Sequence, residues 1–362
     1  MKYMVLFVIL LIMFILRPCN TYACTSFAVY IDDPIYAMNF DYVPRDIRLM
    51  VQEKNDTHIF SMHFVEGDFN PYITGMNDQG LYIGLQMQYP TEEGKSEKNE
   101  DELFIVEMGH YVYELTNVDE TLQRLKDKRL IHRPGFTVHG LIADPLGNAV
   151  IAEAGHETNE YQSISEDFII MSNFKHTDFL NTPNDEINGV GADRYKKAYT
   201  YIQDHQHGFD IYHAFEGLEM TAQYGVSPTL CSMVFVPNEK CVYIALERNF
   251  DAIWKVSIED KTIATYEGFQ QNMTFHIPSD GVVSSDLING NFEKYTPYNE
   301  EEGAITVDRY VDNGHEKQHD NHTEIKANAT EKKKNSYTPA IIMGLCVIVI
   351  CLIWFILKRK KQ

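Results

Sequence analysis

The residue best placed to do chemistry is Cys24, because of what precedes it. Lys2 is followed by an almost wholly aliphatic run over residues 3–16, then Arg17, Pro18 and the small-residue pattern Thr21-Tyr22-Ala23. That is the order of charged region, apolar region and cleavage site in a secretory signal. Cleavage after Ala23 would make Cys24 the first residue of the mature chain. A terminal cysteine carries a thiol and a free α-amine, and an amine of pKa about 7.7–8.0 can serve as general base for its own nucleophile without any His or Asp. The thiol, at about 8.5 when free, needs only a modest downward shift to react as thiolate. Lipid attachment to such a cysteine usually follows an aliphatic residue three places earlier, and Thr21 stands there.

A second pattern, His315-Glu316-Lys317-Gln318-His319 with His322 after it, matches the zinc-protease spacing HExxH. The pattern works when a helix sets both His on one face beside a metal-bound water. Its neighbours here are Asp312, Asn313, Gly314, Asp320 and Asn321, which offer no apolar face to pack a helix. The segment reads as a His-rich tail capable of adventitious metal binding, and no metal is assigned to the chain.

The elements that must hold Cys24 lie between it and about residue 267. Runs rich in β-branched and aromatic residues predict strands at 25–31, 81–87, 138–143, 149–153, 168–172, 229–236 and 241–247. Helical periodicity covers 103–126, interrupted by the cap signal Asn117-Val118-Asp119, and recurs at 193–203 and 211–223. Two sheets with helices packed outside them accommodate that order. Cys231 and Cys241 flank the turn Pro237-Asn238-Glu239-Lys240, and a hairpin there pairs Val236 with Cys241, which leaves Cys231 five positions further along. Both thiols therefore read as small buried apolar residues, out of disulfide reach.

The chain carries a net charge of −21, yet its two ends hold six Lys and Arg and no acid. The acidity belongs to the middle, which excludes nucleic acid as a partner because phosphate binding needs a basic face. Residues 340–357 contain no charge and are followed by Lys358-Arg359-Lys360-Lys361. That length spans a bilayer, and the basic cluster holds the C-terminus in the cytoplasm. Between about 278 and 338 Asn, Glu, Asp, Lys and His displace apolar residues, as in a solvated stalk. Asn55, Asn272, Asn321 and Asn328 each begin an Asn-x-Ser/Thr sequon, which by itself decides nothing.

The run Cys24-Thr25-Ser26-Phe27, followed by Met38-Asn39-Phe40-Asp41, resembles the start of the choloylglycine hydrolase and penicillin V acylase family of N-terminal-nucleophile amidases. It is also similar to the related acyltransferases that act on 6-aminopenicillanic acid. The resemblance continues through Gly75-Met76-Asn77-Asp78-Gln79-Gly80-Leu81, His139-Gly140-Leu141-Ile142-Ala143-Asp144, Met171-Ser172-Asn173 and Arg194, and ends in the hairpin from Cys231 to Tyr243. It implies a four-layer αββα sandwich of the N-terminal-nucleophile hydrolase type. Cys24 would be nucleophile and, through its amine, base. Asp41 matches the aspartate that orients the α-amine, and Asn173 the asparagine that donates to the oxyanion. Gln88, in Met87-Gln88-Tyr89-Pro90, falls near the family's Leu-Asn-Tyr-Pro and is the candidate second donor. Arg194 matches an arginine that supports the site electrostatically. Bile-salt hydrolases carry an arginine where this chain has Met38, and losing that cation removes one source of thiolate stabilisation. The acyltransferase branch lacks it too, so the change weakens a bile-salt assignment more than an amidase one.

The expected organisation is a signal at 1–23, a catalytic α+β domain at 24–277, a polar stalk at 278–338, a transmembrane helix at 339–357 and a basic tail at 358–362. The expected activity is cleavage of a small-molecule linear N-acyl amide at the cell surface, with no metal or organic cofactor. Acyl transfer to an amine, or a non-catalytic surface binding protein on the same fold, are the alternatives, and the sequence leaves a homo-oligomer open.

Overall fold

The computed structural model describes residues 24–65, 70–91, 103–133, 135–155 and 157–298. The expected signal at 1–23, the His315 motif with residues 299–338 of the expected stalk, the expected span at 339–357 and the expected tail at 358–362 lie outside them. In chain order the described strands and α-helices are β1 (Thr25–Val29), β2 (Ile35–Asp41), β3 (Ile47–Lys54), β4 (Thr57–Phe64), β5 (Tyr72–Asn77), β6 (Tyr82–Met87), α1 (Phe104–Glu114) and α2 (Val118–Asp127). They continue with β7 (Val138–Ala143), β8 (Ala149–Ala154), β9 (Asn159–Ser163), β10 (Phe168–Met171), α3 (Ala192–Asp204), α4 (Ile211–Thr221), β11 (Thr229–Val236) and β12 (Cys241–Leu246). The last are β13 (Ile253–Ser257), β14 (Thr262–Glu267), β15 (Thr274–His276), β16 (Val282–Val283) and α5 (Ser284–Asn289).

The strands form two eight-stranded antiparallel sheets, ordered β10-β1-β2-β11-β12-β13-β14-β15 and β16-β3-β4-β5-β6-β7-β8-β9. Alternation along a strand sends successive side chains to opposite faces. In β2, Tyr36, Met38 and Phe40 enter a core between the sheets shared with Phe60 and Tyr82, while Ile35 and Ala37 pack outward with Tyr195, Ala198 and Ile202 of α3 and Leu218 of α4. On the far side Ile83 and Leu85 of β6 pack with Phe104, Met108 and Val112 of α1 and Leu125 of α2. The layers are thus helix pair, sheet, sheet, helix pair. Central strands are apolar on both faces for this reason, and β2, β6, β7, β8, β11 and β12 are buried along their whole lengths.

Local signals set several element ends. Asn117 caps α2 by accepting the Glu120 N–H at 2.9 Å, and Glu120 Oε2 accepts the Thr116 N–H at 2.8 Å, a reciprocal arrangement that satisfies donors at the helix start. The β11–β12 hairpin pairs Val236 with Cys241 and Cys231 with Leu246, so the two thiols sit at opposite ends and all three described cysteines are free.

The domain runs past residue 277. Residues 278–298 hold β16, which pairs with β3, and α5, with Val282, Leu287 and Tyr295 buried. Residues 278–298, expected in the stalk, are therefore part of the folded domain. The composition there is polar because a short edge strand and a six-residue helix need only single apolar anchors. Among the described residues no helix is long and apolar enough to cross a membrane.

Candidate active site

Cys24 sits immediately before β1, and Asp41 ends β2, which pairs antiparallel with β1 in the register Thr25↔Asn39. That register brings the two residues together: the Asp41 N–H points at Cys24 Sγ at 3.4 Å. Both side chains are buried. Asp41 Oδ1 accepts from the Thr229 hydroxyl of β11, its register partner on the other side. Asp41 Oδ2 lies 3.6 Å from Arg194 Nη1 and accepts no hydrogen bond.

Arg194 is the hub. It stands in the first turn of α3, and its Nη1 donates to the Cys24 carbonyl at 2.7 Å and to Thr25 Oγ1 at 3.0 Å. Its Nη2 donates to Asn173 Oδ1 at 2.9 Å. The planar guanidinium fork thereby ties the Cys24-Thr25 segment to Asn173 through three acceptors. Gly191, the cap of α3, has φ +82°, and a Cβ there would come within 2.5 Å of Arg194 Nη2 and closer still to Ser172 Oγ. Only glycine fits that combination of left-handed backbone and close approach.

Asn173 follows β10, the strand on the other flank of β1. With its Oδ1 held by Arg194, its Nδ2 donates one hydrogen to the Met87 carbonyl at 2.7 Å and keeps a second. The Tyr89 N–H donates to the Asn173 carbonyl at 2.6 Å, so the Met87–Tyr89 segment runs beside Asn173 and Gln88 lies within it. Gln88 is buried, and its Oε1 has no hydrogen-bond partner. Cys24, Asp41, Asn173 and Arg194 therefore meet from the first sheet and α3, and Gln88 lies in the segment after β6 of the second sheet that runs beside Asn173.

Three further residues belong to the site that sequence reasoning missed. Gln86 of β6 reaches across the interlayer: oriented so that its Oε1 accepts the Ser26 N–H at 2.9 Å, its Nε2 donates to the Cys24 carbonyl at 3.2 Å. Thr25 and Thr229 bind the guanidinium and the carboxylate. Their roles follow only from strand register. The other resemblance motifs are structural clips: Asn77 Nδ2 donates to the Val112 and Leu115 carbonyls at the end of α1, and Asp144 Oδ2 accepts the Val118 N–H at the start of α2. Met38 is buried between the sheets, in register with Met233 and Ser26.

The electrostatics describe a chain whose residue 24 is still joined to residue 23. Burial, and then the Asp41 carboxylate, push the Cys24 thiol up to about 12, against the lowering effects of the Asp41 N–H and Arg194. Burial likewise pushes Asp41 up to about 7, opposed by the Thr229 hydrogen bond and by Arg194 and Arg248. Between the ordinary value of 3.8 and about 7 the folded precursor keeps a proton that the unfolded chain has released. The resulting stability is full below 3.8 and declines as pH rises through about 7. Urea midpoints of the unprocessed chain compared at pH 4 and pH 8 should show this decline, and Asp41→Asn should remove that component of it. A slope identical in the two chains would contradict the assignment.

Over residues 31–251 the sequence matches the family described as acyl-coenzyme A:6-aminopenicillanic acid acyl-transferase. The matched span contains Asp41, Gln88, Asn173 and Arg194 but begins after Cys24. Among solved structures, an arginine-to-leucine variant of conjugated bile acid hydrolase from Clostridium perfringens is similar at a TM-score of 0.50 and 15% identity, covering 67% of this chain and 97% of that one. A cysteine-to-alanine mutant of the same hydrolase gives 0.50 and 14%, covering 71% and 97%. Penicillin V acylase from Agrobacterium tumefaciens gives 0.48 and 13%, covering 65% and 91%. No curated protein matches the sequence. At these identities the likeness to the bile acid hydrolase concerns the fold alone.

Proposed function

The chain belongs to the acyl-coenzyme A:6-aminopenicillanic acid acyl-transferase family, and from that membership we propose that its mature form cleaves a linear N-acyl amide through an acyl-thioester on Cys24. The observation that carries this reading is the buried Asp41 Oδ2, which has no hydrogen-bond donor beside the residue whose nitrogen cleavage would turn into an ammonium. A new cation there satisfies the carboxylate and draws the thiol down from the high value it has in the precursor. Processing then creates the base, pairs it and activates the nucleophile in one step.

The neutral α-amine takes the thiol proton, which gives the ammonium–thiolate pair held by Asp41, and Sγ then bonds to the amide carbon. The carbonyl oxygen becomes an oxyanion facing the free Asn173 Nδ2 hydrogen and the Gln88 amide, donors that act where charge develops. Collapse breaks the C–N bond, and the departing amine takes its proton from the α-ammonium. Water, deprotonated by the same amine, attacks the thioester, releases the acid and restores the thiol. If an amine replaces water in that second step the product is a new amide, and the family's description as acyl-transferases favours keeping this as the second reading. The enzyme would be exported by the 1–23 signal and held at the cell surface by the 339–357 span.

Iodoacetamide separates an enzyme from a binding protein on the same fold. In the mature chain at neutral pH, alkylation should favour Cys24 over Cys231, a buried thiol pushed well above its ordinary range by desolvation, and over Cys241. Equal, slow labelling of all three would point to the non-catalytic reading. Product analysis with an added amine acceptor decides between water and amine.

A further inference from the structure

Behind Asn173 lies a buried polar cluster that the reaction above does not use. Glu153 of β8 and His139 of β7 are register partners on the inner face of the second sheet, both fully buried, with His139 Nδ1 at 3.1 Å from Glu153 Oε1. The same Oε1 accepts the His176 N–H at 2.8 Å. Glu153 Oε2 accepts the Thr177 N–H at 3.1 Å and lies 2.7 Å from the Thr177 hydroxyl. The two backbone N–H groups can only donate, so both Glu153 oxygens serve as acceptors, while the single Thr177 hydroxyl hydrogen is shared between Glu153 Oε2 and Glu160 Oε2 at 2.8 Å. Burial alone would raise Glu153, but the His139 hydrogen bond and the nearby imidazoles outweigh it and bring it to about 2.

His176 turns that anchorage toward the active site. Its Nε2 lies 3.0 Å from the backbone nitrogen of Ser172. A backbone N–H can only donate, so Nε2 is the acceptor and the ring is neutral, with any proton on Nδ1. Desolvation favours the same state, lowering His176 to about 3. Ser172 immediately precedes Asn173, and the His176 ring stacks on Phe174 with centroids 4.2 Å apart. The turn bearing the amide donor is therefore gripped on one side by Arg194 and on the other by His176. His176 Nε2, His139 Nδ1 and both Glu153 oxygens are engaged in hydrogen bonds, the buried His139 Nε2 has none, and among the described residues no His, Cys, Asp and Glu group is arranged to hold a metal.

We propose that Glu153 and His176 form a positioning lock, tying the second sheet to the Ser172-Asn173 turn so that the Asn173 amide meets the oxyanion of the acylated substrate. The inference rests on the amide-cleaving reading above. A hydrogen bond from the Ser172 N–H, in the peptide joining Met171 to Ser172, anchors the turn that carries Nδ2, and a misplacement of about 1 Å at such a donor can lower the rate about 10²-fold.

Alkylation by iodoacetamide passes through no oxyanion, whereas amide cleavage does, so the two reactions report different parts of the site. His176→Phe keeps an aromatic ring against Phe174 but removes the acceptor. It should lower kcat for an N-acyl amide by about 10–100-fold with KM within about twofold, while Cys24 alkylation keeps its wild-type rate. His176→Gln, whose Oε1 can reach the Nε2 position, should recover most of kcat. Retention of kcat in a folded His176→Phe chain, or alkylation falling in parallel with kcat, would overturn the lock. Should His176→Phe not fold, Thr177→Val strips one contact from Glu153 more gently, and wild-type kcat there would overturn it equally. Wild-type turnover with Cys24-selective alkylation upholds the parent reading even when the His176 variants keep full kcat, in which case the lock alone falls.

Discussion

Mature chain carrying Cys24→Ala should show no measurable N-acyl amide turnover, a loss of at least about 10⁴-fold, because nucleophile, base and oxyanion donors act as one unit and removing the nucleophile forfeits nearly all of their combined effect. The substitution removes a single sulfur from a buried position, so the fold should survive, and thermal melting checks that. Cys24→Ser keeps the α-amine and an oxygen nucleophile, and should retain a small residual rate above the alanine chain. Residual activity equal to wild type in either variant, measured as release of the free amine, would remove Cys24 from the mechanism.

Arg194→Met should cost about 3–5 kcal/mol of stability, the range seen when one partner of a buried ion pair is removed. The side chains of Arg194 and Asp41 are 6% and 0% exposed, so solvent cannot replace the lost cation. Thr25 Oγ1 and Asn173 Oδ1 lose the Arg194 donor together, and the Cys24 carbonyl keeps only Gln86 Nε2. Asp41 can soften the loss by staying protonated, since its carboxyl already sits up at about 7 through burial. The penalty in denaturant midpoint should therefore be smaller at pH 5 than at pH 8. Arg194→Lys should restore only part of it, because one ammonium cannot span three acceptors that the guanidinium fork reaches from two nitrogens. An unchanged midpoint across that pH range would show that Arg194 is not the electrostatic hub.

The extent to which this site is legible in the sequence follows from how each residue is held. Cys24 is marked by local order alone, a signal pattern ending one residue earlier. Asp41, Asn173 and Arg194 are visible through a motif resemblance, and in the structure they do meet. Helix α2 begins where Asn117 supplies a cap, and β7 and β11 span the residues their composition predicts, because those signals are local and agree with the burial the sheets impose. Gln86, Thr229, Glu153 and His176 carry no comparable mark. Gln86 matters because β6 faces β1 across the core, and Thr229 because β11 pairs with β2 opposite Asp41. Such placements depend on register between strands distant in the chain, which composition does not encode. The segment 278–298 was obscured for the opposite reason, its few anchors Val282, Leu287 and Tyr295 being diluted by polar neighbours.

The proposed coupling of processing to chemistry makes the unprocessed chain a built-in control. There, residue 24 has no amine, its thiol is held up at about 12 by burial and by Asp41, and Asp41 Oδ2 has no donor. The most direct test is the intact mass of the protein quenched in acid during turnover of an N-acyl amide, followed by mapping of the N-terminal peptide. The expected result is a chain that begins at Cys24 and is heavier by one acyl group on that residue, with no adduct on chains still carrying residues 1–23. An adduct elsewhere, or turnover by a chain whose residue 24 is still joined to residue 23, would contradict the account.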